Sequence, residues 1–328
     1  MSKPKLAIYW AATCGGCDVA LLDTQTKVVE IADAFELVLW PIAMDFKYKD
    51  VERLPEKSID LCLFNGAIRT EEQEDIARML RKRAKVLVAF GSCACHGGIP
   101  GLGNVSDRNG IFEKVYRQTR STANNDGIRP RTRTEMPEGT LTLPAFHDTV
   151  RSLDQVVDTD YYVPGCPPPV DLIGQVVTAV LSRSLPAVGS TLAPDKTVCD
   201  ECPRERDETK KVKQFRRLAE VTPDPTRCLL DQGIICCGPA TRAGCEARCP
   251  SVNMPCRGCF GPPAGVLDQG LKLLSAIGSI IDSKDEREIS RIVNGVQDPL
   301  GCFYRFGLPK SLLHRTRTRS ADSETRDD

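Results

Sequence analysis

Apolar residues fall in short, compact blocks along the first half of the chain. Leu6 to Trp10, Glu36 to Trp40, Ile59 to Ala67 and Lys85 to Phe90 each have the length of a strand. Asp160 to Pro164 supplies a fifth block of the same kind. The runs are nearly continuous instead of alternating, which predicts strands covered on both faces, as in a parallel sheet. Between them lie helical patterns. Asp18 to Asp23 opens one, and Thr70 followed by Gln73 forms a capping box for a helix running to about Ala84. A third helix is predicted from Val170 to about Ser182. Strand–helix alternation predicts an α/β fold, an open parallel sheet with helices on both faces. Residues 105 to 159 are poorly periodic, and Asn124-Asn125-Asp126-Gly127 and Arg129-Pro130-Arg131-Thr132-Arg133 are expected to be loop material.

Behind this region the pattern changes. Ser184 to Lys196 is rich in Pro, Gly and Ser and is expected to be a linker. Glu205 to Glu220 is charged and helix-like, and Gly261 to Asp282 carries an apolar helical pattern. The polar tail from Arg315 has the composition of a disordered segment. The expected division is a sheet domain over 1–183, a smaller loop-rich domain over 184–314, and a tail over 315–328.

Composition narrows the function. With 44 basic and 44 acidic residues, the chain has no general attraction for nucleic acid. No run of 18 apolar residues is present, so no membrane span is expected. The charged N-terminus leads into no apolar stretch of signal-peptide type, so the expected location is the cytoplasm, where thiols stay reduced. The 16 cysteines therefore need a purpose other than disulfides.

Their positions supply one. Cys14, Cys17, Cys93 and Cys166 each sit just past a predicted strand, where ligand sites form in open α/β sheets. Four thiolates meeting there would make a site for zinc or an iron–sulfur cluster. Nine more cysteines crowd between Cys199 and Cys259: Cys199, Cys202, Cys228, Cys236, Cys237, Cys245, Cys249, Cys256 and Cys259. Paired C-x2-C spacings suit either metal. Prolines beside Cys166, Cys202, Cys249 and Cys256 favour clusters, with one site in front and two behind. Cys62 and Cys302 lie apart from these motifs and are expected to be structural.

Three segments carry a family resemblance. Cys14-Gly15-Gly16-Cys17-Asp18, Gly91-Ser92-Cys93-Ala94-Cys95-His96-Gly97-Gly98 and Pro164-Gly165-Cys166-Pro167-Pro168 resemble the proximal-cluster signature of [NiFe] hydrogenase small subunits. The stretch from Ile235 through Cys245 and Cys249 to Cys259 resembles the cytoplasmic group, and is most similar to gamma subunits of F420-non-reducing (methyl-viologen-reducing) hydrogenases. The resemblance implies a flavodoxin-like front domain, a ferredoxin-like rear domain and three [4Fe-4S] clusters. It implies a proximal cluster on Cys14, Cys17, Cys93 and Cys166, and a distal cluster on Cys199, Cys202, Cys228 and Cys236, with Cys237 as the alternative to Cys236. It implies a medial cluster on Cys245, Cys249, Cys256 and Cys259. Cys95 adjoins the proximal set and is left out of it. His96 is either a tuning group for the proximal cluster or a loop residue. The implied partners are a nickel–iron large subunit, which would hold the catalytic metal, and a delta-type iron–sulfur acceptor leading to heterodisulfide reductase, an assembly of the electron-bifurcating kind. Two other roles compete: a hydrogenase module feeding NAD(P) or F420, and a zinc-stabilised interaction module.

Overall fold

The computed structural model describes residues 3–209 and 211–313; the tail over 315–328 lies outside them. The strands are β1 (Lys5–Trp10), β2 (Glu36–Leu39), β3 (Ile59–Asn65), β4 (Ile68–Thr70), β5 (Ala84–Phe90), β6 (Arg133–Met136), β7 (Gly139–Thr142), β8 (Phe146–Arg151) and β9 (Tyr161–Val163). Helices of the front region are α1 (Gly16–Leu22), α2 (Thr26–Ala34), α3 (Tyr48–Glu52), α4 (Glu71–Arg83), α5 (Ser92–His96), α6 (Arg108–Glu113) and α7 (Val170–Leu181). Four more follow: α8 (Arg248–Ser251), α9 (Gln269–Ile280), α10 (Glu286–Asn294) and α11 (Pro299–Phe303).

Five parallel strands form the main sheet in the order β2-β1-β3-β5-β9. Counting only these five, the order is the flavodoxin-like 2-1-3-4-5, with its switch point between β1 and β3. Alternate residues face opposite sides. Tyr9, Cys62, Phe64 and Leu87 pack against Ile76, Ala77 and Leu80 of α4 on one face. Leu6, Ile8, Leu63, Val88 and Phe90 pack against Ala20 and Leu21 of α1 and Ile173 and Val176 of α7 on the other. The central strands β1, β3 and β5 are therefore buried on both faces, which is why their runs in the sequence are continuous.

Helix α4 begins as its capping box predicts. The Gln73 N–H donates to Thr70 Oγ1 at 3.4 Å, and Gln73 Oε1 accepts from the Thr70 N–H at 3.1 Å. Glu71, Glu72 and Glu74 lie in its first turn and Arg81, Lys82 and Arg83 in its last, each complementing the helix dipole.

The poorly periodic residues 105–159 hold α6, an exposed hairpin of β6 and β7, and β8, which pairs antiparallel with β4; of the two expected loop segments only Arg133 enters a strand. Two expectations are corrected. Among its described residues Glu205–Glu220 forms no α-helix, only a 3-10 turn at Leu218–Glu220. Its buried Val212 and Phe215 are held by bridges from Val212 to Ile281 and from Arg216 to Ile234, because extended backbone lets neighbouring side chains alternate into a thin core. The apolar helix starts only at Gln269, after Pro262 and Pro263, with the Asp268 carboxylate accepting the Leu271 N–H at 2.9 Å as its cap.

The segment after α7 runs along the sheet edge. The Tyr162 N–H donates to Ser190 O at 3.1 Å, and the Leu192 N–H to Tyr162 O at 2.8 Å. The rear region then folds around Val198, Leu229, Ile234, Leu273, Ile277 and Ile292. Its end returns to the front: the Gly98 N–H donates to Phe306 O at 3.0 Å, and Lys310 pairs with Asp154 at 2.6 Å. Among the described residues no helix is long and apolar enough to cross a membrane.

Candidate metal centres

The carboxyl ends of β1, β5 and β9 deliver four thiols to one edge. Cys14 and Cys17 follow β1, Cys93 opens α5 after β5, and Cys166 follows β9. The Ser92 N–H donates to Gly165 O at 2.7 Å and ties the last two loops together. Burial, then Cys93 and Cys166, pushes the Cys17 thiol far above its ordinary value. Burial, then Cys93 and Cys14, pushes Cys166 up to about 11. These thiols repel one another as thiolates, a cost that bound iron or zinc would remove as the protons leave.

Glycine makes the space. Gly91 has φ 86° and ψ 162°, a region nearly closed to other residues, and a Cβ there would overlap Cys17 Sγ. A Cβ on Gly98 would lie 2.5 Å from Cys93 Sγ. The cradle and its all-thiol donor set thus fit an iron–sulfur group.

In the rear region, Cys199, Cys202, Cys228 and Cys236 form a second neighbourhood. Burial, then Cys236 and Cys228, with Cys202 adding to them, raises Cys199 to about 12. A Cβ on Gly238 would lie 3.0 Å from Cys199 Sγ and 3.7 Å from Cys236 Sγ. Cys237 points elsewhere: its Sγ donates to Cys302 O at 3.4 Å. Cys245, Cys249 and Cys259 form a third. Burial, then Cys166, Cys245 and Cys249, raises Cys259 to about 12. Cys256 takes an intermediate position. Its thiol is raised by burial and then by Cys236 and Cys237, and its N–H donates to Cys236 Sγ at 3.2 Å. Sequence order and spatial order therefore differ. The front set meets the third neighbourhood through Cys166 and Cys259, and Cys256 leads on to the second.

Backbone and buried polar groups fix these loops. The Gly16 N–H donates to Cys14 Sγ at 3.4 Å, one of the donors that temper thiolate charge. Arg204 is buried, and its guanidinium donates to Pro250 O at 2.9 Å, Arg227 O at 2.9 Å and Asn253 Oδ1 at 2.7 Å. It rivets the loop before Cys228 to the turn after Cys249. Asp18 is buried and accepts from Trp40 Nε1 and Asn65 Nδ2, both at 2.9 Å, holding the start of α1 against the sheet. The Ser92 hydroxyl donates to Cys259 O, joining front and rear loops. The glycine-rich loop at Gly16 is itself a signal for such a donor, but sequence pattern flags none of the three side-chain roles. The nearest signals are the placement of Asp18 beside Cys17 and of Arg204 beside Cys202-Pro203.

The remaining cysteines have structural surroundings. Cys62 is fully buried in β3, and burial lifts it to about 12. Cys95 Sγ donates to Ala89 O at 3.2 Å. His96 packs against Gly261 where the rear region meets α5, with its Nε2 buried and, among the described residues, without a hydrogen-bond partner. Burial, then the Lys310 charge, pushes it down to about 3, so the ring is neutral. Ahead of and within β6, Arg129 pairs with Glu113 and Arg133 with Glu135.

The family model for the NADH ubiquinone oxidoreductase 20 Kd subunit matches residues 14–180. The iron-sulfur subunit of the F420-non-reducing hydrogenase of Archaeoglobus profundus is 40% identical over 316 residues, covering 95% of this chain and 98% of that protein. An F420-non-reducing hydrogenase subunit of Methanothermobacter thermautotrophicus is 34% identical, covering 95% of this chain and 96% of that one. A chain of the [NiFeSe]-hydrogenase of Dm. baculatum superposes with a TM-score of 0.51 at 18% identity, over 81% of this chain and 96% of that one, a likeness of fold.

A flavodoxin-like sheet with a cysteine-dense module behind it, together with these relatives, defines the electron-transfer small subunit of a [NiFe] hydrogenase, an oxidoreductase component. The chain belongs to the NADH ubiquinone oxidoreductase 20 Kd subunit family and, within it, to the small subunits of F420-non-reducing hydrogenases.

Proposed function

We propose that the chain carries electrons released by hydrogen oxidation on its nickel–iron large subunit through three [4Fe-4S] sites to an iron–sulfur or flavin acceptor. Cys14, Cys17, Cys93 and Cys166 would hold the proximal site, with Cys245, Cys249, Cys256 and Cys259 the medial one. Cys199, Cys202, Cys228 and Cys236 would hold the distal one. Bound clusters of this kind supply one-electron carriage at potentials set by charge, burial and hydrogen bonds to sulfur. The residues here would set those terms through the buried positions of Cys17 and Cys236 and the N–H groups aimed at Cys14 and Cys236.

The observation that carries the proposal is the spatial sequence of thiols, from the front set through Cys166 and Cys259 to Cys256 and Cys236. That arrangement gives a line with two ends, one at the sheet edge and one in the rear region. The proposed acceptor is a delta-type iron–sulfur subunit leading to heterodisulfide reductase in a cytoplasmic assembly of the electron-bifurcating kind. The names of the archaeal relatives support the hydrogenase part of this role. The division into 1–183 and 184–314 would separate the two ends of the line.

Hydrogen itself tests the role. In the anaerobically purified complex with its large subunit, hydrogen is expected to bleach the absorption shoulder at about 400 nm that cubane clusters give. Bleaching by dithionite but not by hydrogen would contradict it.

A further inference from the structure

Four arginines converge on one cavity of the rear region, and among the described residues none of them is ion-paired. The cavity holds about 310 Å³ and is lined by Arg216, Arg217, Arg257 and Arg305, with Cys302 in its wall. Guanidinium groups stay charged at any working pH. Among the described residues, none of the four lies within 4.0 Å of an acidic oxygen. Their bonding partners are neutral: Arg217 Nη1 donates to Gln297 Oε1 at 2.8 Å, and Arg305 Nε to Gly301 O at 3.0 Å. Asp298 also lines the cavity, but its Oδ1 accepts the Gly301 N–H at 2.9 Å as the cap of α11. Elsewhere the chain pairs such groups closely, as in Arg81 with Asp160 and Arg242 with Asp195, both at 2.6 Å. In a chain of zero net charge, four guanidiniums around one space outnumber the Asp298 carboxylate and repel one another, and a carboxylate-bearing ligand relieves that.

The place of the cavity gives the ligand a role. Ile235 and Pro255 line it, and each precedes a cysteine proposed to hold a rear cluster, Cys236 and Cys256. Arg257 follows Cys256 directly. The basic mouth therefore opens one residue away from the rear end of the thiol line. Electron transfer between proteins needs the two redox centres close, and opposite charge brings and orients the partners.

We propose that this cavity docks an acidic loop of the electron-accepting iron–sulfur protein, whose Asp or Glu carboxylates fill it against the arginines. The inference rests on the relay role above. Its test uses the hydrogenase complex with hydrogen as donor and two acceptors: a plant-type [2Fe-2S] ferredoxin, which is acidic, and methyl viologen, a small cation that needs no docking. In the double variant Arg216→Glu, Arg217→Glu, the KM for ferredoxin is expected to rise about ten-fold or more, with a flatter salt dependence, when rates are normalised to viologen reduction by the same preparation. The milder Arg217→Gln shifts both quantities the same way by less. An unchanged ferredoxin KM and salt slope in both variants, at wild-type iron content, would overturn the docking site. So would calorimetric binding of inorganic phosphate that the double variant loses while ferredoxin kinetics stay as they were. A wild-type complex that reduces neither acceptor with hydrogen removes the relay role, and this inference with it.

Discussion

Replacing Cys17 by serine is expected to abolish hydrogen-driven viologen reduction. Cys17 is buried, and the thiols of Cys93 and Cys166 lie near enough to raise it, which places it within the front set. An alcohol oxygen is a poorer ligand for iron than a thiolate, and the neighbouring Cys95 sulfur is turned to the Ala89 and Val163 carbonyls. Changes one shell further out cost about 10–100-fold in metal affinity or activity, so loss of a direct ligand should exceed about 100-fold. The large subunit should still fold, and about four of twelve irons should be missing. Unchanged hydrogen-to-viologen activity in Cys17→Ser would remove the relay at its first step.

Gly91→Ala should do nearly the same through shape alone. Its backbone at φ 86° and ψ 162° lies where a side chain costs about 1–3 kcal/mol. The new methyl would also overlap Cys17 Sγ and drive that thiol from its place. Gly127→Ala separates the two effects, because Gly127 also has positive φ, at 66°, but nothing lies within 4 Å of an added Cβ. The expected result is loss of the proximal iron and of hydrogen-driven viologen reduction in Gly91→Ala, with both retained in Gly127→Ala. Full iron content and activity in Gly91→Ala would show that Cys17 does not face the site.

The front half was legible because its signals are local. Five apolar runs end at turns, and a strand that ends at Cys14, Cys93 or Cys166 places its cysteine at the carboxyl edge whatever the rest of the chain does. The capping box at Thr70 works for the same reason. The rear half has no such period. Val212 and Phe215 sit in a stretch dominated by Lys, Arg and Glu, and only the partners Ile281 and Ile234, dozens of residues away, make that stretch extended. The hairpin of β6 and β7 is exposed along nearly its whole length, so no buried face marks its sequence.

The site divides in the same way. The front thiols follow from strand ends, whereas the grouping of the rear thiols follows from family resemblance and not from spacing. The position of Cys256 beside Cys236 depends on the turn around Pro255. Asp18 and Arg204 were invisible as positioning groups because burial of a polar side chain is decided by distant packing: Trp40 and Asn65 for the first, the Pro250 and Arg227 carbonyls for the second.

Metal and sulfide analysis of the anaerobically purified chain tests the three-cluster relay most directly. Three cubane clusters on twelve cysteines require about 12 iron and about 12 acid-labile sulfide per chain, four of each per cluster. Stoichiometric zinc without sulfide would contradict it.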